Sequence, residues 1–289
     1  MNSSSHNRSN SVPSGPHPLI SQYEEHFQRL KASEAASSSS IISKLNGLHA
    51  LYECTDKVLQ LQTVQQEFRR ESCKTSVDEL LEDSLMLLDV CAAVKDVLLQ
   101  STESIQGLQS AVRRKRWGES ALKSEGEKYL SLRKKAKKTI QNALESFKGF
   151  KKGFSVITSS NTEDEFVSMI RSLKEAEFVT LIQLESLLSF ASGSRAKTKM
   201  MSNWIAVSKF MQPKRVCCDS DQSNMNEFEK VDGELQSLFQ KHSSVVSVQS
   251  FQNSMENLES FIKNLDSGIE KLERKIIRTR VSLLNIYNY

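Results

Sequence analysis

Apolar residues recur every three or four positions from Leu19 to about Leu283, and no segment keeps the alternation of apolar and polar residues that is typical of a half-buried strand. The chain contains four prolines: Pro13, Pro16, Pro18 and Pro213. Because proline costs about 3 kcal/mol in a helix interior, the stretch between Leu19 and Gln212 can hold long helices. The pattern therefore predicts an all-α fold, a multi-helix bundle of long antiparallel helices.

Two short polar signals predict helix starts in the middle of the chain. Ser76 and Glu79 have the spacing of a capping box, in which each side chain satisfies a backbone donor of the other residue, and Thr162 with Glu165 repeats it. We expect a long helix after each signal. A further helix over 119–152 alternates basic and apolar residues, which predicts one strongly positive face.

The C-terminal helix has the most regular pattern of the chain, a heptad repeat with apolar a and d positions. The heptad seam comprises Met255, Leu258, Ile262, Leu265, Ile269, Leu272 and Ile276. Isoleucine-rich a positions with leucine at d resemble parallel two-stranded coiled coils, so a homodimer through this helix is one interpretation. The other is packing against helices of the same chain. Phe261 at a g position and Gly268 on the flank favour the second, because a wide apolar face suits a bundle.

Residues 1–18 are rich in Ser, Asn and Pro, which predicts a disordered tail ahead of a helical bundle domain over 19–289. A break in the helical pattern predicts a flexible linker near 213–224. The tail contains an R-S-x-S-x-P motif, formed by Arg8, Ser9, Ser11 and Pro13. Phosphorylation of Ser11 would create the kind of dianion that 14-3-3 proteins bind, and a structureless spacer is the alternative interpretation.

The net charge of the chain is +4, and the positive charge is unevenly distributed. Residues 113–152 form a basic segment that contains fourteen Lys and Arg and four Glu. Its two densest clusters comprise Arg113, Arg114, Lys115, Arg116, Arg133, Lys134, Lys135, Lys137 and Lys138. They indicate a solvated face, a nuclear-import patch, or a surface for an acidic protein or the phosphates of an anionic membrane. Nucleic acid is an unfavoured partner, because aromatic residues that stack on bases do not interleave with the basic ones.

No pattern in the sequence indicates a catalytic or metal site. The five histidines lack metal-ligand spacing, and the chain has no nucleophile elbow, phosphate loop or dinucleotide-binding turn. We therefore predict a non-enzyme without a cofactor. The five cysteines lack C-x-x-C spacing, and neither a secretory signal nor a spanning apolar run occurs. An intracellular, cytoplasmic protein is expected, with a membrane-peripheral or nuclear location as alternatives.

Several short segments together are distinctive of one plant family. They are Arg8–Pro18, Leu45–Leu48, Leu59–Leu61, Val77–Leu81, Leu88–Cys91 and Leu108–Arg114. In this order they resemble the plant family catalogued as domain of unknown function 241, the BYPASS-related proteins, collinearly over nearly the whole chain. The resemblance implies an intracellular, largely helical plant protein with a role in root and shoot development, through control of a mobile signal. It implies no catalytic residues.

These features predict a non-enzymatic helical regulatory or adaptor protein. The alternative function is that of a peripheral membrane protein, which would bind anionic lipid surfaces through the basic helix within 113–152. The two differ in the partner that meets the basic residues, a protein in the first case and a bilayer in the second.

Overall fold

The regular secondary structure of the described residues is α-helical. The computed structural model describes residues 17–35, 41–113, 119–154, 165–193, 226–240 and 245–288. Within these ranges the regular elements are eight α-helices, and no strand occurs. In chain order they are α1 (Pro18–Ala35), α2 (Ile41–Leu59), α3 (Gln62–Phe68), α4 (Glu71–Arg113), α5 (Glu119–Phe154), α6 (Glu165–Ala191), α7 (Glu227–Gln240) and α8 (Val245–Asn288). The all-α prediction is confirmed.

The two longest helices, α4 and α8, lie side by side and antiparallel. At one end Tyr287 of α8 donates a hydrogen bond of 3.3 Å to Asp78, near the start of α4. At the other end Arg113 of α4 lies 3.6 Å from Glu256, near the start of α8. These contacts align the helices along most of their length, so the pair forms the long axis of the bundle.

The remaining helices surround this pair. Helix α2 packs on α8 and runs parallel to it, since Glu53 pairs with Lys275 and the later Asp56 accepts a hydrogen bond from Thr279. Helix α1 packs on α2, α5 and α6 pack on α4, and α7 packs on α8 and α5. The buried apolar side chains form one continuous core to which all eight helices contribute.

The heptad seam explains the central position of α8. All seven of its side chains are buried, none more than 1% exposed. They belong to the core of their own chain, where α8 packs chiefly on α4 and α2. Helix α2 approaches so closely that a Cβ atom at Gly268 would overlap the side chain of Leu45. A zipper with a second copy would require the same side chains to leave this core.

The first predicted helix start is wrong. Helix α4 begins at Glu71, so Ser76 lies inside the helix and does not cap it. The side chains of Cys73 and Val77 are buried, so the apolar stripe of α4 begins before Ser76. Packing of these side chains stabilises helical structure ahead of the predicted capping box. Glu79 binds Lys174 of α6 instead of completing a capping box. The second start involves Thr162, outside the described residues; α6 begins at Glu165.

Candidate docking surface on the basic helix

Helix α5 has a buried stripe and an opposite exposed face. Tyr129, Arg133, Ala136 and Ile140 follow one another at spacings of three or four residues, and all four are buried. With 3.6 residues per turn, this spacing places them on one side of the helix. Most of the residues between them are exposed, and most of these exposed residues are polar or basic, whereas Leu130 packs against the core.

Three exposed members of the predicted basic surface lie together on α5, namely Lys134, Lys135 and Lys138, and we call them the lysine face. Lys138 is four residues from Lys134 and three from Lys135, so its ammonium group neighbours both on the helix surface. Within the described residues, none of the three forms an ion pair. Like charges at this spacing repel each other, so the lysine face is a local concentration of positive charge.

Arg133 does not belong to this surface, and that part of the prediction is wrong. Its side chain is 4% exposed, and its Nε lies 3.3 Å from Oδ1 of Asp232 in α7. It donates a hydrogen bond of 2.7 Å to the carbonyl oxygen of Ala191, the last residue of α6, and its guanidinium lies 4.6 Å from the ring centre of Phe228. Tyr129 donates a second hydrogen bond to Asp232, at 2.9 Å. Arg133 thus joins three helices and supplies a donor to the end of α6.

Two further members of the predicted surface form ion pairs near its margin. Lys137 is half-exposed, and its Nζ lies 3.8 Å from Asp232. Arg113 is exposed at the end of α4 and pairs with Glu256 of α8. Exposed pairs of this kind contribute about 0–1 kcal/mol, so neither side chain is held strongly. The other predicted members, Arg114, Lys115 and Arg116, lie outside the described residues.

The predicted phosphorylation motif also lies outside the described residues, with all of Arg8, Ser9, Ser11 and Pro13. The same holds for the predicted linker near 213–224. Recognition of phosphorylated Ser11 by 14-3-3 proteins, the linker, and the division into a tail and one bundle domain therefore stay predictions.

Ionisable side chains that no sequence pattern indicated lie together between α4 and α6. Lys174 and Glu177 are 4% and 6% exposed, and Lys174 binds Glu79. Burial raises the pKa of Glu177 well above its usual value, and the nearby Asp83 carboxyl adds to this rise. Burial likewise lowers the pKa of Lys174 and raises the pKa of Asp83 to about 6. A Lys and a Glu three residues apart are common on exposed helix faces, so their spacing gave no signal of burial.

Neither a metal centre nor a membrane-spanning helix is present in the described ranges. No three or more His, Cys, Asp and Glu side chains lie together there in a group that could bind a metal ion. Cys54, Cys73 and Cys91 are buried and not disulfide-bonded. None of the described helices combines the length and the apolar character that crossing a bilayer requires.

One comparison with known proteins identifies a family. A family model described as Protein BPS1 matches residues 44–286, a range that begins in α2 and ends in α8. It therefore includes the lysine face, the heptad seam and the buried ionisable cluster. No curated protein and no solved structure matches the chain significantly. The family match confirms the resemblance to the BYPASS-related plant proteins, and the chain belongs to the BPS1 family.

Proposed function

We propose that this protein is a non-enzymatic helical regulatory or adaptor protein in plant root and shoot development, where it controls a mobile signal. Membership of the BPS1 family supports a role in plant development. The proposal assigns the lysine face to an acidic protein partner. The observation that carries this assignment is the contrast on α5 between Arg133, which is buried against Asp232, and the exposed lysines beside it.

The surroundings of α5 support a preformed docking surface. Arg133 connects α5 to α6 through the carbonyl of Ala191 and to α7 through Asp232. These buried contacts fix the rotation of α5 in the bundle. The three lysines therefore face outward before a partner arrives. A surface that is ordered in advance loses less conformational freedom on binding, which favours affinity.

Neutralising the lysine face should abolish the function without unfolding the protein. We expect the combined substitution Lys134→Gln, Lys135→Gln and Lys138→Gln to fail to restore root and shoot growth in plants that lack the protein. Glutamine has a helix propensity similar to that of lysine, so charge is the main property removed. Proximity labelling in the same plants should lose the acidic partners that the wild-type protein labels.

A matched control removes the same charge elsewhere. Lys230, Lys263 and Lys271 are exposed on α7 and α8, and their combined substitution by glutamine should restore growth as the wild type does. Full restoration of growth by the lysine-face variant would contradict the proposal.

A second candidate function is binding to anionic membranes, which the same three exposed, unpaired lysines favour. Each lysine near an anionic bilayer contributes about 1 kcal/mol, so the triple glutamine variant should bind phosphatidylserine vesicles about 100-fold more weakly. Vesicle sedimentation at low salt measures this, and binding should fall as salt screens the charges. Failure of the wild-type protein to sediment with these vesicles would exclude this candidate and leave the adaptor proposal standing.

A further inference from the structure

An open cleft lies where the last turns of α2 and α8 meet α3. Its volume is about 460 Å³, within the range of about 300–1,000 Å³ that is typical of small-molecule sites. The buried side chains of Leu59 and Ile286 form the apolar part of its lining. The other lining residues are polar or basic, namely Gln60, Gln65, Arg69, Ser282 and Asn285. An apolar floor with a few convergent polar groups is the usual composition of a ligand site.

The polar residues reach the cleft from three separate elements. Ser282 and Asn285 are three residues apart on α8, a spacing that makes them neighbours on the helix surface. Gln65 lies on α3, and Arg69 follows four residues later, directly after the end of that helix. Gln60 is the residue that follows α2. The packing of α2, α3 and α8 therefore brings together side chains that are far apart in the sequence.

A hydrogen bond between two of these elements orders one side of the cleft. Nε2 of Gln65 donates to the carbonyl oxygen of Leu59, the last residue of α2, at 3.1 Å. This bond supplies a donor to the end of α2 and leaves Oε1 of Gln65 as an acceptor. The backbone N–H of Arg69 donates to the carbonyl oxygen of Gln65 at 3.2 Å, which extends the turn to the arginine. A wall that is ordered in advance favours affinity.

Arg69 is the charged residue of the wall, and within the described residues its guanidinium has no counter-ion. Its neighbours differ in this respect. The adjacent Arg70 pairs with Glu67 at 2.8 Å, and Arg278 of α8 lies 3.8 Å from Asp56 of α2. Among the described residues that line the cleft, none is an Asp or Glu. The cleft therefore has a positive charge and favours an anion.

The neutral polar groups of the wall add recognition of a second kind. The side chains of Gln60, Ser282 and Asn285 form no hydrogen bond with any described residue. Amides and hydroxyls both donate and accept hydrogen bonds, so they suit hydroxyl, carbonyl or amide groups of a ligand. A guanidinium binds the oxygens of a carboxylate or phosphate through two parallel hydrogen bonds. Together these groups favour an organic anion over a simple inorganic one.

We propose that this cleft binds a small organic oxyanion, a carboxylate or a phosphate monoester. Arg69 binds the anionic group, and the neutral polar side chains of the wall bind the other polar groups of the ligand. The apolar part of the ligand lies against Leu59 and Ile286. Helix α5 does not line the cleft, so the site is separate from the lysine face and does not depend on an acidic protein partner.

Nuclear magnetic resonance of the full chain, labelled at isoleucine methyl groups, tests the site because Ile286 lies in its wall. The probes are benzoate, phenyl phosphate and benzamide, which is nearly the shape of benzoate but has no charge. Compounds of this size bind such clefts with Kd values of about 1 mM. We expect benzoate or phenyl phosphate to shift the Ile286 methyl signals saturably, and the tighter of the two identifies the anionic group. Benzamide should bind about tenfold more weakly or less.

Two arginine variants test the role of Arg69. Arg69→Gln should weaken binding of the anionic probes about 10- to 100-fold, as expected when a charged hydrogen-bond donor is lost. Arg70→Gln is the matched control, because it removes the same charge from the next residue and should bind as the wild type does. Both side chains are exposed, so both variants should keep the wild-type melting temperature.

Three results would overturn the proposal. The first is the absence of Ile286 shifts in the wild type with both anions at about 10 mM, ten times the expected Kd. The second is binding of benzamide as tight as that of benzoate, which would show that the anionic group is not recognised. The third is equal loss of affinity in Arg69→Gln and Arg70→Gln, which would show that the probes respond to the general positive charge of this region.

Discussion

Replacing Arg133 by alanine should lower the free energy of unfolding by about 3–5 kcal/mol, as expected when one partner of a buried ion pair is removed. The substitution leaves Asp232 without its closest cation and the carbonyl oxygen of Ala191 without its donor. It also removes the guanidinium from the ring of Phe228. Chemical denaturation at neutral pH, followed by circular dichroism, measures the loss.

Two further variants make this result specific. Lys134→Ala removes a neighbouring cation from the exposed side of α5 and should change the free energy of unfolding by no more than about 0.5 kcal/mol. Adding Asp232→Leu to Arg133→Met removes both charges and should restore part of the stability, because an apolar pair needs no desolvation of ions. The restoration should be incomplete, because the Ala191 carbonyl and the Tyr129 hydroxyl lose their partners. Equal stability of Arg133→Ala and Lys134→Ala would contradict the buried role of Arg133.

The contrast between Arg133 and Lys134 illustrates how far sequence reasoning reaches on α5. Both belong to one run of basic residues, and composition alone assigns both to one surface. The spacing of Tyr129, Arg133, Ala136 and Ile140 is visible in the sequence and fixes which residue faces inward. The counter-charge is not visible, because Asp232 follows 99 residues later and meets Arg133 only in the folded bundle.

Helix α8 was predictable because its pattern is local and repeated. The heptad pattern does not determine which helix packs on the seam, since the same a and d residues can pack in a coiled coil between two chains or in a bundle within one chain. The flanking residues Phe261 and Gly268 favoured the bundle, and Gly268 does lie where α2 approaches closely. Thr279 is a polar residue at a d position of the same repeat, and its hydroxyl donates a hydrogen bond to Asp56 of α2. Glu177 and its neighbours carried no comparable signal, because their burial depends on how α6 packs against α4 and α2.

Substitution of Leu265 by alanine should cost about 2–5 kcal/mol of the free energy of unfolding. Leu265 is a d residue in the middle of the heptad seam, and its side chain is completely buried. The loss combines the transfer of the leucine side chain with the cavity that remains between α8 and its neighbours. Leu99→Ala is the matched control, because Leu99 is 59% exposed on α4 and its truncation removes the same atoms from a solvated position. Thermal or chemical unfolding of the two variants gives the comparison.

The same variants distinguish the two interpretations of the seam. Since Leu265 packs within its own chain, the melting temperature of the wild type should not depend on protein concentration, and the loss in Leu265→Ala should be equal at low and high concentration. A zipper between two copies behaves differently, because its stability includes the association step and increases with concentration. Analytical ultracentrifugation over the same range reports the mass directly. A concentration-dependent melting temperature, together with a dimer that Leu265→Ala dissociates, would show that the seam joins two chains.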